Sequence, residues 1–210
     1  MMQRVYGIAF AILICTSCSR TESSSIYEST TAGLRLSYNN QWVASDDLKA
    51  RNVVDAAESR GLRTEGMAEA MSNVALYLVR PTSSGGISRN ANIMLMLVPV
   101  PAELCSEINT ESYVAEDARE YVLSLPNARL EPGSHFALHG VIGYTVSLKL
   151  QDRVATQHRY IYCANNHYAV LQSTSSDGDG ERAVRDVLST LVFTNAPNYS
   201  LKRTDQSLRD

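Results

Sequence analysis

The sequence predicts an α+β domain with a mainly antiparallel sheet that is covered by helices on both faces. Two central strands, residues 75–79 and 93–98, are apolar at nearly every position, which is typical of strands buried on both faces. Three later strands follow one another through short turns, and hairpins require antiparallel pairing. Amphipathic helical segments separate and follow these strands, and they supply the layers that such a sheet needs.

The N-terminal half of the domain is predicted to contain one further strand and a helix. Apolar and polar residues alternate over residues 34–38, which indicates a strand. A helix is predicted from Ser45, where a capping hydroxyl precedes two acids, to Gly61, because glycine commonly ends helices. A shorter helical turn is predicted over residues 65–71. The polar link 82–92 between the two apolar strands predicts a mobile loop.

The next elements are a helix and a long strand. Apolar residues recur with helical spacing over residues 112–123, and Pro126 ends the pattern. Residues 141–150 predict a strand because apolar residues alternate there with small or polar ones. The residues expected on one face of this strand are Ile142, Tyr144, Val146, Leu148 and Leu150.

The C-terminal part predicts a hairpin and a final helix. Residues 154–163 and 168–173 read as strands, and the two asparagines at 165–166 form a suitable turn because Asn tolerates positive φ. Residues 181–191 follow the helical spacing, with Asp179 as the predicted N-cap.

The first 17 residues predict a secretory signal peptide. Arg4 provides an early positive charge, and the uncharged run 5–15 that follows is too short to cross a bilayer as a helix. A buried N-terminal helix is the alternative. The polar residues that follow at once favour the signal peptide.

The residues around Cys18 resemble the lipobox of bacterial lipoproteins, in which two small residues precede an acylated cysteine. The sequence TSC at 16–18 fits this pattern, although Cys15 stands where leucine is usual. The resemblance implies that Cys18 is the lipid anchor, with modification of Cys15 as the poorer alternative. Ordinary cleavage near Ser17, which would give a soluble periplasmic protein, is the rival. Ser19 beside the anchor favours the periplasmic side of the outer membrane.

Four segments are therefore expected. Residues 1–17 form the signal peptide, and residues 18–32 form a tether rich in serine and threonine. Residues 33–194 form a single α+β domain. Residues 195–210 form a polar tail that is expected to be disordered.

Cys105 and Cys163 are the two cysteines that remain once Cys18 is acylated. In an oxidising compartment two such cysteines tend to pair, so a disulfide is expected. Two isolated buried thiols are the alternative. A metal site is not expected, since the pair lacks the spacing of zinc ligands.

The chain resembles the PsbP-like family, which includes a photosystem oxygen-evolving subunit, a Ran-binding nuclear transport factor and small bacterial lipoproteins. The likeness is carried by four runs: GLRLSYNNQW at 33–42, GVIGYTVSLKL at 140–150, RYIYCANNHYAVLQS at 159–173 and AVRDVLSTLVF at 183–193. The chain departs from the family at 39–41, where a proline is usual. The resemblance implies a sandwich of sheet and helices, and a non-enzymatic binding or assembly module.

Candidate functional residues are few. His158, Tyr160 and Tyr162 share one strand face and form a possible binding surface, although aromatic residues at a strand edge are a common structural feature. His135 and His139 are expected to be a surface pair. The acidic run at 177–181 does not fit a calcium-binding loop, because the glycine and the final acid are missing. A helix N-terminus explains this acidic run better.

These observations predict a membrane-anchored envelope lipoprotein that binds or scaffolds another component, with an envelope protein as the expected partner. No cofactor and no metal are expected. The net charge of −3 and the lack of a basic cluster argue against nucleic acid binding. A periplasmic hydrolase or small-ligand-processing enzyme is the alternative, because a catalytic set assembled from distant residues leaves no sequence motif. A structural or stress-related surface protein without a ligand is the third possibility.

Overall fold

The computed structural model describes residues 24–44, 72–81, 87–132, 136–149 and 154–194. The strands are β1 (Ser24–Ser29), β2 (Leu34–Asn39), β3 (Val43–Ala44), β4 (Val74–Pro81), β5 (Ile87–Pro99), β6 (Ala128–Leu130), β7 (Phe136–Leu138), β8 (Val141–Lys149), β9 (Val154–Ala164), β10 (His167–Ser175) and β11 (Val192–Phe193). The helices are α1 (Ala102–Ile108), α2 (Glu111–Ser124) and α3 (Gly178–Leu188). None of the helices in the described ranges is long and apolar enough to cross a membrane.

The strands form two antiparallel sheets. The large sheet has eight strands in the order β3-β4-β5-β10-β9-β8-β6, with β7 also paired to β8. The small sheet has the order β1-β2-β11. β8, β9 and β10 follow one another in the sequence and pair antiparallel with their neighbours, as the run of short turns predicted. The predicted α+β class with a mainly antiparallel sheet is therefore confirmed.

Side chains alternate along β9 between two separate clusters of buried residues. Tyr160 and Tyr162 belong to the α3-side core, which also includes residues of the small sheet and of α3. Ile161 and Cys163 belong to the α2-side core, which also includes residues of α1 and α2. Successive strand residues point to opposite faces, so the two clusters lie on opposite faces of the large sheet.

The hairpin between β9 and β10 turns where the sequence predicts it. Ala164 pairs with His167, and the two residues between them, Asn165 and Asn166, have φ of 49° and 59°. Positive φ at both central positions matches the right-handed twist of the flanking strands. The predicted face of β8 is also confirmed over the described residues, since Ile142, Tyr144, Val146 and Leu148 all contact the α2-side core.

Two segments predicted to be irregular are strands. Residues 24–29, assigned to the tether by composition, form β1 and pair with β2 along their whole length. Backbone hydrogen bonds provide this pairing, and the Tyr27 hydroxyl adds a bond to the carbonyl oxygen of Ala75 at 3.4 Å. Residues 87–92, assigned to a loop, belong to β5. The folded domain therefore begins before residue 33. Composition misses β1 because an exposed strand needs no alternation of apolar residues.

The helices follow the predicted spacing, with differences in their number and bounds. The helix predicted over 112–123 is confirmed as α2, and α1 was not predicted because only Ile108 in it is buried. The last helix runs from Gly178 to Leu188 instead of 181–191, and its N-cap is Asp177 instead of Asp179. The Asp177 side chain accepts a hydrogen bond from the Gly180 amide at 2.7 Å. The predictions for residues 1–17, Cys18, 45–71 and 195–210 lie outside the described residues.

Cys105 and Cys163 form a disulfide between α1 and β9, with their Cα atoms 5.1 Å apart. This confirms the predicted pairing. The Asn109 side chain strengthens the same junction, because its amide donates to the Cys163 carbonyl at 3.1 Å and accepts from the Cys163 amide at 2.7 Å. The start of β8 does not reach this part of β9, so Asn109 satisfies backbone groups there.

Arg159 carries a buried charge between the large sheet and α2. Its side chain donates to the Gln172 side chain at 2.7 Å, and its guanidinium carbon lies 3.8 Å from the ring centroid of Tyr121. The Asp117 carboxylate lies 3.8 Å from the guanidinium. That carboxylate also accepts hydrogen bonds from Tyr144 at 2.6 Å and from Tyr168 at 2.8 Å. We term these residues the Arg159 network.

Removing the disulfide with Cys105→Ser and Cys163→Ala is expected to lower the free energy of unfolding. The bridge spans 58 residues, and a loop of this length contributes roughly 4 kcal/mol through the entropy of the unfolded chain. Urea unfolding followed by far-UV circular dichroism measures the change. Wild-type protein reduced with dithiothreitol serves as the control and should match the double variant. Equal stability of the oxidised and reduced proteins would show that the bridge has no stabilising role.

Candidate functional site

A cleft of about 390 Å³ opens between α3 and the strands β7, β8 and β9. Helix α3 packs against β5 and β10, so the neighbouring part of the same face, formed by β9 and β8, stays accessible beside the helix. We term this cavity the α3 cleft. Its lining residues are Leu138, Thr145, His158, Tyr160, Glu181, Val184, Arg185, Leu188 and Ser189.

The floor of the α3 cleft is built by cross-strand pairs. Thr145 of β8 lies opposite His158 of β9, and Gly143 lies opposite Tyr160. A Cβ atom at Gly143 would lie 2.4 Å from the Arg159 carbonyl oxygen and 3.0 Å from the Tyr160 ring. Glycine is therefore needed for the close approach of β9, which allows the Tyr160 ring to lie over β8.

His158 is the polar group at the centre of the cleft floor. Its Nδ1 lies 3.0 Å from the Thr145 hydroxyl, and the tautomer of the ring decides which of the two donates. Burial lowers the pKa of His158 from 6.5, an effect that Glu181 opposes and Arg185 reinforces. The imidazole is consequently neutral at neutral pH.

The rim of the cleft carries one ion pair. Arg185 donates to the Glu181 carboxylate at 2.8 Å, one helical turn away on α3. The two charges compensate each other, and burial raises the pKa of Tyr160 to about 12, so its phenol is uncharged. The α3 cleft therefore combines apolar walls, a neutral hydrogen-bonding pair and a rim without net charge.

The structure brings two of the three predicted surface residues into the cleft. His158 and Tyr160 line it, whereas Tyr162 is fully buried. The Tyr162 ring packs edge-on against Phe193, with the ring centroids 5.1 Å apart. All three lie on the face predicted from the alternation, but the small sheet covers the end of β9 that holds Tyr162.

The other candidates take no part in the cleft. His139 occupies the turn between β7 and β8, where it is exposed and has a φ of 50°. His135 lies outside the described residues, so the expected surface pair of His135 and His139 stays a prediction. Within the described ranges, no three His, Cys, Asp or Glu side chains come together as metal ligands.

Most residues that line the cleft were not found from the sequence. Thr145 is visible only as the cross-strand partner of His158, which requires the register of two strands. Glu181 and Arg185 have the spacing of a helical ion pair, and this pattern marks the face of α3 at the rim. Leu138 comes from β7, a strand of three residues that has no sequence pattern.

A smaller groove of about 190 Å³ lies on the other flank of α3. Trp42, Tyr38 and Asp186 are among its lining residues, and none of the predicted site residues belongs to it. The Thr190 hydroxyl in this groove already has partners, because it accepts from the Ser37 amide and its single proton is shared between the carbonyl oxygens of Ser37 and Val187. The α3 cleft is larger and contains His158, so it is the better candidate.

No protein-family model matches the chain, and no curated protein matches its sequence. Solved structures to which the chain is similar include the cyanobacterial PsbP (CyanoP) of Synechocystis, with 13% identity and a TM-score of 0.44 over 89% of this chain and 98% of that one. They also include LpqN of Mycobacterium tuberculosis, described as involved in cell envelope biogenesis, with 13% identity and a TM-score of 0.44 over 85% of this chain and 88% of that one.

A crystal structure from Bacteroides thetaiotaomicron is similar at 12% identity with a TM-score of 0.45. The match covers 81% of this chain and 48% of that one, so this chain spans about half of its length. A PsbP thus stands among the solved structures to which the chain is similar.

The lowered pKa of His158 should make the stability of the protein depend on pH. The unfolded chain protonates this residue at its ordinary pKa of 6.5, and the folded protein does so only at lower pH. The unfolded state therefore holds more protons as the pH falls through this window, and the free energy of unfolding decreases. Urea unfolding between about pH 7.5 and 5 measures this slope.

The variant that tests this is His158→Asn, compared with wild type. It is expected to flatten the slope near pH 6.5, because the residue with the lowered pKa is removed. An identical slope in wild type and His158→Asn would contradict the assignment.

Proposed function

We propose that this chain is a membrane-anchored, non-enzymatic binding module of the bacterial envelope, and that the α3 cleft receives an envelope component. The observation that carries this proposal is the cleft itself, an accessible cavity of about 390 Å³ with apolar walls and one neutral hydrogen-bonding pair. Binding pockets for small ligands are typically of this size and composition.

Export is supported by two independent features. The disulfide between Cys105 and Cys163 favours an oxidising compartment, where such bonds persist. The leader at residues 1–17 has the charge and length of a secretory signal, and Cys18 follows two small residues as in a lipobox. We infer a lipid on Cys18 and a location on the periplasmic side of the outer membrane.

The packing of the domain supports a binding role, because it gives the cleft a rigid floor. We infer that helices cover both faces of the large sheet, because α3 and the pair α1 and α2 contribute to cores on opposite faces. The cleft floor is then backed by a packed layer and keeps its shape without a ligand. The partner expected from the sequence is an envelope protein.

The alternative of a hydrolase rests on one contact. A hydroxyl and an imidazole within hydrogen-bonding distance are the first two members of a nucleophilic site, and Thr145 and His158 satisfy this condition. Thr145 lies in the middle of a regular strand with its hydroxyl engaged across to β9. The apolar side chains of Leu138, Val184 and Leu188 form the cleft walls, which favours binding over catalysis.

Anchoring is tested with Cys18→Ser, with Cys15→Ser as the matched control. Cells are labelled with radioactive palmitate and fractionated. Wild type and Cys15→Ser are expected to carry the label and to sediment with membranes, because several acyl chains hold a protein firmly. Cys18→Ser is expected to lose the label. A labelled Cys18→Ser variant, or an unlabelled wild type, would refute the anchor.

Binding is tested by placing a photoreactive benzoylphenylalanine at Ser189, on the exposed edge of the cleft, in living cells. The matched control position is Glu120, which is exposed on α2 on the opposite face. Mass spectrometry of the purified protein is expected to find a discrete added mass after illumination at Ser189 and none at Glu120. Equal labelling at both positions, or none at either, would argue against the cleft as the binding surface.

A further inference from the structure

The polar groups of the α3 cleft leave it without net charge. The two charged residues of the lining, Glu181 and Arg185, are paired with each other at 2.8 Å on the exposed side of α3. The His158 imidazole and the Tyr160 phenol are both uncharged at neutral pH because each is largely buried. Among the described lining residues, an ionic group that entered the cleft would meet no unpaired counter-charge, and it would lose part of its hydration against the apolar walls, which is unfavourable.

Thr145 and His158 form the polar pair on the floor of the cleft. They face each other across β8 and β9, and a hydroxyl retains capacity to donate or accept beyond one bond. Leu138, Val184 and Leu188 supply the apolar walls, whereas Glu181, Arg185 and Ser189 lie at the exposed rim, where the Ser189 hydroxyl donates to the Asp186 carbonyl oxygen at 2.7 Å. The ligand that complements this surface has an apolar body and a single uncharged polar group.

We propose that the α3 cleft binds a small uncharged amphiphile, with its apolar part between α3 and β7 and its hydrogen-bonding group at Thr145 and His158. This inference rests on the proposed function, because it names the ligand class of the same site. The apolar part would contribute through the area it removes from water, and the polar group would set the orientation.

The test uses purified full-length protein and the probe N-phenyl-1-naphthylamine, which is uncharged and fluoresces strongly in apolar surroundings. The probe is expected to bind wild type with increased fluorescence at neutral pH. Three competitors with the same chain are then compared: 1-decanol, decanoate and decyltrimethylammonium. Decanol is expected to displace the probe at a concentration about tenfold lower than either ion, because an ion must be desolvated without a partner.

Two variants with matched controls place the probe in the cleft. Leu138→Asp introduces a charge into the wall and is expected to abolish probe binding, whereas Leu123→Asp makes the same change on α2, where Leu123 is 86% exposed. Thr145→Val keeps the side-chain shape and removes the hydroxyl. It is expected to weaken decanol binding about threefold to tenfold, the contribution of one hydrogen bond. Thermal unfolding verifies that each variant is folded. If Leu138→Asp does not fold, Thr145→Val provides the test.

Three results would overturn the inference. They are an absence of probe binding to wild type, displacement by decanoate or the ammonium compound at the decanol concentration, and equal loss of binding in Leu123→Asp and Leu138→Asp. These results differ from a failure of the proposed function. Photo-crosslinking of a protein at Ser189 without probe binding would retain the binding module and reject the amphiphile. Probe binding by a protein that is not membrane-anchored would retain the amphiphile and reject the anchor.

Discussion

The buried charge of Arg159 constrains how the rest of the domain is assembled. Only 6% of this residue is exposed, and an unpaired charge at such a position would be strongly destabilising. Its partners come from three elements: Asp117 and Tyr121 from α2, Tyr144 from β8, and Gln172 from β10. A shift of α2 along the sheet, or a slip of β10 against β9, would separate the guanidinium from these groups. The network therefore fixes one register for all three elements.

The same constraint gives the α3 cleft its floor. The side chains of residues 157–162 in β9 point alternately to the face of the Arg159 network and to the opposite face. His158 and Tyr160 lie on the opposite face, so the network fixes the position of the strand that carries them. The close approach at Gly143 further fixes the distance between β8 and β9. The positions of Thr145 and His158 are thus set by interactions that no ligand touches. This arrangement gives a pre-formed surface, which lowers the entropic cost of binding.

Local patterns in the sequence account for much of this fold. Several elements were predicted because neighbouring residues encode each of them. They are the strands 75–79 and 93–98, the turn at Asn165 and Asn166, and α2. The small sheet was missed for two reasons. β1 is serine-rich and pairs through its backbone, and the pairing of Val192 with Arg35 joins residues that are far apart in the sequence. The α3 cleft draws residues from 138 to 189, so its composition depends on tertiary packing that periodicity does not encode.

The strand β1 changes how the body of the protein stands above the bilayer. With a lipid on Cys18, as proposed, only residues 19–23 separate the anchor from the small sheet, and five residues reach at most about 18 Å. The Asn165 side chain also donates to the Thr30 carbonyl at 2.6 Å, which fastens the end of this segment to the β9–β10 turn. The domain would then stay close to the bilayer, with the small sheet nearest the headgroups, and any partner of the protein would have to approach along the membrane surface.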